Sequence, residues 1–122
     1  MNKIHTDILI IGAGPFGLAL AAYANTLGIN YLVAGKPMEF WKNNMPDGMY
    51  LRSASDWSLD PTDQASIMNY LKTLGKTPKD VEPLSRDFYL EYCQWFQDQA
   101  GIQSLPFYVT QLNKMVDHFH AR

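Results

Sequence analysis

Gly12-Ala13-Gly14-Pro15-Phe16-Gly17 has the spacing G-x-G-x-x-G, and each glycine has a physical task. The first permits a tight turn out of a strand. The second lets a pyrophosphate approach the backbone, and the third lets the following helix pack closely on that strand. An anion placed there meets free N–H groups at the positive end of the helix dipole. Pro15 falls near the helix start, where its missing N–H costs little. The chemistry this implies is the holding of a dinucleotide. Such a site ends its second strand with an acid, about 20 residues further on, that takes the ribose hydroxyls. Here that position falls on Gly35, in Val33-Ala34-Gly35-Lys36, and the nearest acid is Glu39. Two accounts stay open: the ribose is held by backbone and Lys36, or the dinucleotide is bound weakly. Lys36 also fits either a 2′-phosphate or a solvated charge.

Few other residues carry a chemical reading. Arg52 beside Ser53 can supply charge to a phosphate or substrate, or pair on the surface with Asp47 or Asp56. His118 and His120 share one face of the last expected strand; exposed ladder histidines are the expectation, and no metal site is assigned. Cys93 is the sole cysteine, so no internal disulfide can form, and it reads as a buried small hydrophobe. Neither a Ser-His-Asp order nor paired carboxylates make a case for a hydrolase, and no catalytic residue is assigned. Ten Lys and Arg stand against twelve Asp and Glu, with no basic tract, which argues against nucleic acid as a partner. The apolar stretch from Ile8 to Ala24 is interrupted by Gly12, Gly14, Pro15 and Gly17, so neither a membrane span nor a signal peptide is expected. The expected compartment is the cytoplasm.

The elements that must position these residues follow from local pattern. Thr6–Ile11 is a β-branched apolar run, as in a strand buried on both faces of a parallel sheet. Gly14–Leu27 is rich in alanine and leucine and reads as a helix, with Gly28 where a left-handed cap is wanted. Ile29–Ala34 reads as a second strand, completing a βαβ unit within about 30 residues. Lys36–Pro61 is an aromatic-rich loop with room for one helical turn, and loops of this length are usually functional or disordered. Asp63–Leu74 reads as a helix closed by Gly75, and Ser85–Ala100 as another, capped by Ser85 and ended by Gly101. Phe88, Tyr92, Trp95 and Phe96 recur at helical spacing and point to core packing. Ser104–Leu112 and Met115–Ala121 alternate about Asn113-Lys114 and read as a hairpin. The 122 residues allow one domain.

Gly12-Ala-Gly-Pro-Phe-Gly-Leu-Ala-Leu-Ala-Ala-Tyr23 resembles the FAD-binding N-terminus of two-dinucleotide-fold flavoproteins. That class includes flavin-containing monooxygenases, the N-hydroxylating monooxygenases of lysine and ornithine, and pyridine-nucleotide-disulfide reductases. The stretch Phe40-Trp-Lys-Asn-Asn-Met-Pro-Asp-Gly-Met-Tyr-Leu-Arg-Ser53 is similar to the monooxygenase-like branch. The resemblance implies an α/β, Rossmann-like FAD/NAD(P)-binding domain over residues 1–122, incomplete: a βαβ unit, a long loop, two helices, a third strand and the start of an antiparallel meander. Carried over by position, Gly12, Gly14, Pro15, Phe16 and Gly17 surround the pyrophosphate, and Lys36 lies near the adenosine ribose. Trp41 and the Met49–Ser53 segment, with Arg52 and Ser53 at its end, approach the ribityl or isoalloxazine side, and the backbone of Val109 lies near the adenine.

The resemblance further implies an FAD-dependent oxidoreductase that takes electrons from NAD(P)H. The chain has no second G-x-G-x-x-G for the nicotinamide cofactor and lacks the late Gly-Asp segment of the class. It is therefore expected to be an N-terminal fragment that does not turn over alone and that can self-associate through exposed strand edges. The alternative is a non-catalytic nucleotide-binding or protein-interaction module on the same fold; Gly35 in place of the acid favours an interaction module that has lost the ligand.

Overall fold

Strand β1 (Ile8–Ile11), helix α1 (Pro15–Thr26) and strand β2 (Tyr31–Ala34) form the expected βαβ unit in the computed structural model, which describes residues 3–122. β1 and β2 run parallel, with Ile8 opposite Tyr31 and Ile11 opposite Ala34. β3 (Ser104–Leu105) joins the other side of β2, again parallel, with Val33 opposite Ser104. The order β1-β2-β3 leaves β2 central, and Val33, its most interior side chain, is fully buried. A separate two-stranded antiparallel sheet pairs β4 (Leu112–Lys114) with β5 (Phe119–Ala121). This is an α/β fold with a partial Rossmann-like unit.

α1 packs close because its inward residues are small. Leu18, Ala21, Ala22 and Ala24 are buried along it. Its last turn passes to Leu27, and Gly28 follows at φ 70°. Four further helices lie between β2 and β3: α2 (Glu39–Asn44), α3 (Ile67–Leu74), α4 (Pro78–Val81) and α5 (Arg86–Ala100). α5 starts and stops as expected, with Ser85 Oγ accepting from the Phe88 N–H and Gly101 in the left-handed region. Its Tyr89, Tyr92, Cys93 and Phe96 enter one core with Ile10, Leu18 and Val33 of the βαβ unit and Ile67 and Leu71 of α3. Phe88 and Trp95 are half-buried and flank Tyr70, with ring centroids at 5.7 and 5.2 Å. Tyr92 is fully buried, and its hydroxyl donates to the Ala65 carbonyl at 2.7 Å and accepts from the Leu59 N–H at 3.3 Å.

Three expectations are corrected. α3 begins at Ile67, not Asp63. The Asp60 carboxylate draws in the N–H groups of Thr62 and Ala65 at 2.8 and 2.7 Å, which competes with helix; Ser66 then caps Asn69. α4 was not expected; the Asp80 carboxylate accepts from the Thr77 N–H at 2.8 Å and stabilises that single turn. The hairpin is shorter and shifted. Ser104–Leu105 belongs to the parallel sheet, Pro106 has no N–H with which to extend it, and Asn113 and Lys114 lie in β4 rather than in the turn. The turn is Met115–His118, closed by a 2.8 Å bond from the Met115 N–H to the His118 carbonyl. His118 therefore sits in the turn beside Asp117, and His120 in β5, so the two do not share a strand face. Among the described residues no helix is long and apolar enough to cross a membrane.

Candidate dinucleotide site

β1 ends in the glycine turn. Gly12 has φ 109°, a region costly for any residue with a Cβ, and its N–H is bonded to the Ala34 carbonyl at 2.8 Å. Gly17 lies over this turn: a Cβ there would stand 2.0 Å from the Gly12 carbonyl oxygen. The closeness of helix to strand is thus set by position 17. Gly14 differs in kind. It caps α1 with extended backbone and no side-chain hydrogen bond, and a Cβ on it would meet nothing within 4 Å. The first bond into the helix runs from the Leu18 N–H to the Gly14 carbonyl at 2.9 Å. Pro15 has no N–H, so the amides of Phe16 and Gly17 are the donors the helix end leaves over. Open space at the Gly14 Cβ position and amides that no side chain caps form a cradle open to an anion.

The cradle continues into a cleft of about 340 Å³ lined by Gly12, Ala13 and Gly14 from the turn, by Lys36, Met38, Glu39, Phe40, Trp41, Asn43 and Asn44 from β2's exit and α2, and by Tyr108. α2 is tied to the turn by a 2.9 Å bond from the Met38 N–H to the Ala13 carbonyl. Met38 adopts φ 56°, uncommon for a residue with a side chain, and is buried. Lys36 Nζ stands 4.0 Å from a Glu39 carboxylate oxygen. The Tyr108 hydroxyl donates to the Glu39 Oε2 atom across 69 residues of sequence, and that bond raises the phenol above the ordinary tyrosine value.

Of the residues singled out in the sequence, the structure brings Gly12, Gly14, Lys36 and Trp41 to this cleft, with Pro15, Phe16 and Gly17 opening α1 beside it. Phe16 is 91% exposed. Trp41 is half-buried, packs on Tyr89 with ring centroids 5.0 Å apart, and also lines the cleft. Arg52, Ser53 and Val109 are not among the lining residues. The segment before Arg52 is pinned elsewhere: the Leu51 N–H donates to the Leu84 carbonyl at 2.7 Å and the Arg86 N–H to the Met49 carbonyl at 2.8 Å. Asp47, a possible partner for Arg52, is taken by Arg86 at 2.7 Å, whose guanidinium also reaches the Met45 carbonyl at 2.8 Å. Met38, Glu39 and Tyr108 were not assigned from sequence. Only Glu39 left a signal there, as the acid nearest the end of β2; Tyr108 comes from a segment no local pattern connects to it. At Gly35 an acid is disfavoured by shape: φ is 134°, and a Cβ would stand 3.2 Å from the Ala13 backbone nitrogen.

No protein-family model matches the chain, and no curated protein sequence matches it. Solved structures do. The bacillithiol disulfide reductase Bdr (YpdA) from Staphylococcus aureus matches with a TM-score of 0.71 at 26% identity, over 96% of this chain and 33% of that one. The bacillithiol disulfide reductase Bdr (YpdA) from Bacillus cereus matches with a TM-score of 0.72 at 25% identity, over 95% and 33%. The lysine monooxygenase NbtG from Nocardia farcinica, whose structure is described for its NADPH domain conformation, shares the fold, with a TM-score of 0.69 at 17% identity over 88% and 37%. The chain spans about a third of the length of these structures. A disulfide reductase and a lysine monooxygenase both belong to the class that the glycine motif resembles, and that resemblance is borne out.

Proposed function

We propose that this chain is the N-terminal, FAD-binding part of a flavin-dependent, NAD(P)H-using oxidoreductase. The observation that carries the reading is the cradle at Gly14, where a Cβ would meet nothing within 4 Å and no side chain caps the amides of the helix end. Gly12, Gly14 and the amides of Phe16 and Gly17 hold the pyrophosphate. Lys36 lies toward the adenosine ribose, and Trp41 borders the cleft farther along α2. Arg52, Ser53 and the Val109 backbone are assigned to the cofactor by resemblance alone. The flavin, when bound, supplies the transfer of electrons between the nicotinamide cofactor and an acceptor. This chain's residues bind and orient it, and none is assigned a bond-making role.

The segment Phe40–Ser53 supports a monooxygenase-like acceptor chemistry, with oxygen receiving the electrons. A disulfide-reducing parent is the second reading, favoured by the identity to the two bacillithiol disulfide reductases. In that case the reducing thiol, if one is used, comes from outside this chain: Cys93 is buried, and desolvation pushes its thiol up to about 12.

The test is a titration of the purified chain with FAD, read by quenching of flavin fluorescence and by melting temperature. Saturable quenching with a raised melting temperature in the natural chain, lost in Gly14→Val, supports the reading. A chain that folds and leaves flavin fluorescence and melting temperature unchanged overturns it and leaves the interaction-module alternative.

A further inference from the structure

We propose that the carboxylate of Glu39, oriented by Tyr108, accepts the hydroxyls of the adenosine ribose, a task moved from the end of β2 to the first turn of α2. The inference rests on the reading of the cleft as an FAD site and names the residue that replaces the missing acid.

Three observations carry it. Gly35 is buried at φ 134°, and a side chain there would press on the Ala13 nitrogen, so the strand end itself cannot present an acid without distorting the glycine turn. The bond from Met38 to Ala13 then fixes α2 against that turn and sets Glu39 in the cleft with Gly12 and Gly14. Finally, Glu39 is held but not used up. Tyr108 donates to Oε2, Lys36 stands at 4.0 Å from that same atom, and among the described residues no donor reaches Oε1. An ionised carboxylate has about four lone-pair sites, which leaves capacity for a vicinal diol. Tyr108 is a positioning residue, since it acts on the ribose through Glu39. The arrangement also bears on which dinucleotide fits. A 2′-phosphate would be set against the Glu39 carboxylate, and the charge of Lys36 is already partly engaged by it, so the site favours an unphosphorylated ribose, as in FAD.

Calorimetric titration with ADP, with 2′,3′-dideoxy-ADP and with FAD tests this. The natural chain is expected to bind ADP about tenfold or more tightly than the dideoxy analogue, as hydrogen bonds to a charged acceptor imply. Glu39→Gln and Tyr108→Phe are expected to weaken ADP and FAD while leaving the dideoxy analogue nearly unchanged, so that the ratio shrinks toward one. A folded Glu39→Gln protein that keeps the natural ratio, or a natural chain that shows no preference for the ribose hydroxyls, overturns the inference. In both cases FAD binding that is still lost in Gly14→Val leaves the FAD reading standing. A natural chain that binds none of the three ligands overturns both.

Discussion

A Cβ placed on Gly17 would stand 2.0 Å from the carbonyl oxygen of Gly12, whereas one placed on Gly14 would touch nothing within 4 Å. Two glycines of one motif therefore differ in kind: the turn closes position 17 to a side chain and leaves position 14 open. Gly17→Ala must push α1 off β1, and overpacking of this kind costs about 1–3 kcal/mol or more. Gly14→Ala is expected to cost about 1 kcal/mol or less, since an N-cap position loses little when its backbone is already extended. Chemical denaturation of the two variants should separate them; equal losses would mean that the turn relaxes around residue 17.

The hydroxyl of Tyr92 reaches the Ala65 carbonyl at 2.7 Å inside the core. Tyr92→Phe keeps the ring and strands that carbonyl and the Leu59 N–H. A loss of about 1–3 kcal/mol is expected, the cost of leaving buried polar groups unpaired. Urea unfolding checks it, and a change near zero would show that Ala65 finds another donor.

Asp60 contributes to the acid limb of stability. Burial raises its carboxyl, but hydrogen bonds from the Thr62 side chain and from the backbone of Ala65, Thr62 and Gln64 outweigh burial and hold it below the ordinary value. A carboxyl lowered on folding contributes stability above its unfolded value of about 4, and that contribution is lost as the pH falls through the folded value. Asp60→Asn is expected to melt lower than the natural chain at pH 6 and to show a shallower decline between roughly pH 5 and pH 3. Parallel melting curves over that range would refute the assignment.

Cys93 should behave as an inert thiol. With its pKa pushed up to about 12 by burial, it carries almost no thiolate at pH 8. A disulfide reagent should label it at the rate of local or global opening, accelerating sharply with denaturant. Prompt labelling of the folded chain would contradict the burial.

The βαβ unit was legible because its signals are local. An apolar run, a glycine turn, an alanine-rich helix and a second strand each follow from neighbouring residues, and β1, α1 and β2 lie where those patterns put them, within two residues at their starts. The caps of α5 were legible for the same reason. What local pattern could not reach is assembled from distant parts. Asn113-Lys114 reads as a turn only until Leu112–Lys114 pairs with Phe119–Ala121. Asp60 ties up the amides that precede α3, which delays a helix that propensity alone would start earlier. The partnership of Glu39 with Tyr108 spans 69 residues, and the grip of Arg86 on Met45 spans 41; neither leaves a spacing to read.

The left-handed backbone of Met38 sets two requirements in opposition. Glycine or asparagine would relieve its torsion, but only a large apolar side chain fills the buried space it occupies. Substitution at this joint therefore cannot improve geometry and filling together, which makes position 38 a poor target for stabilising design.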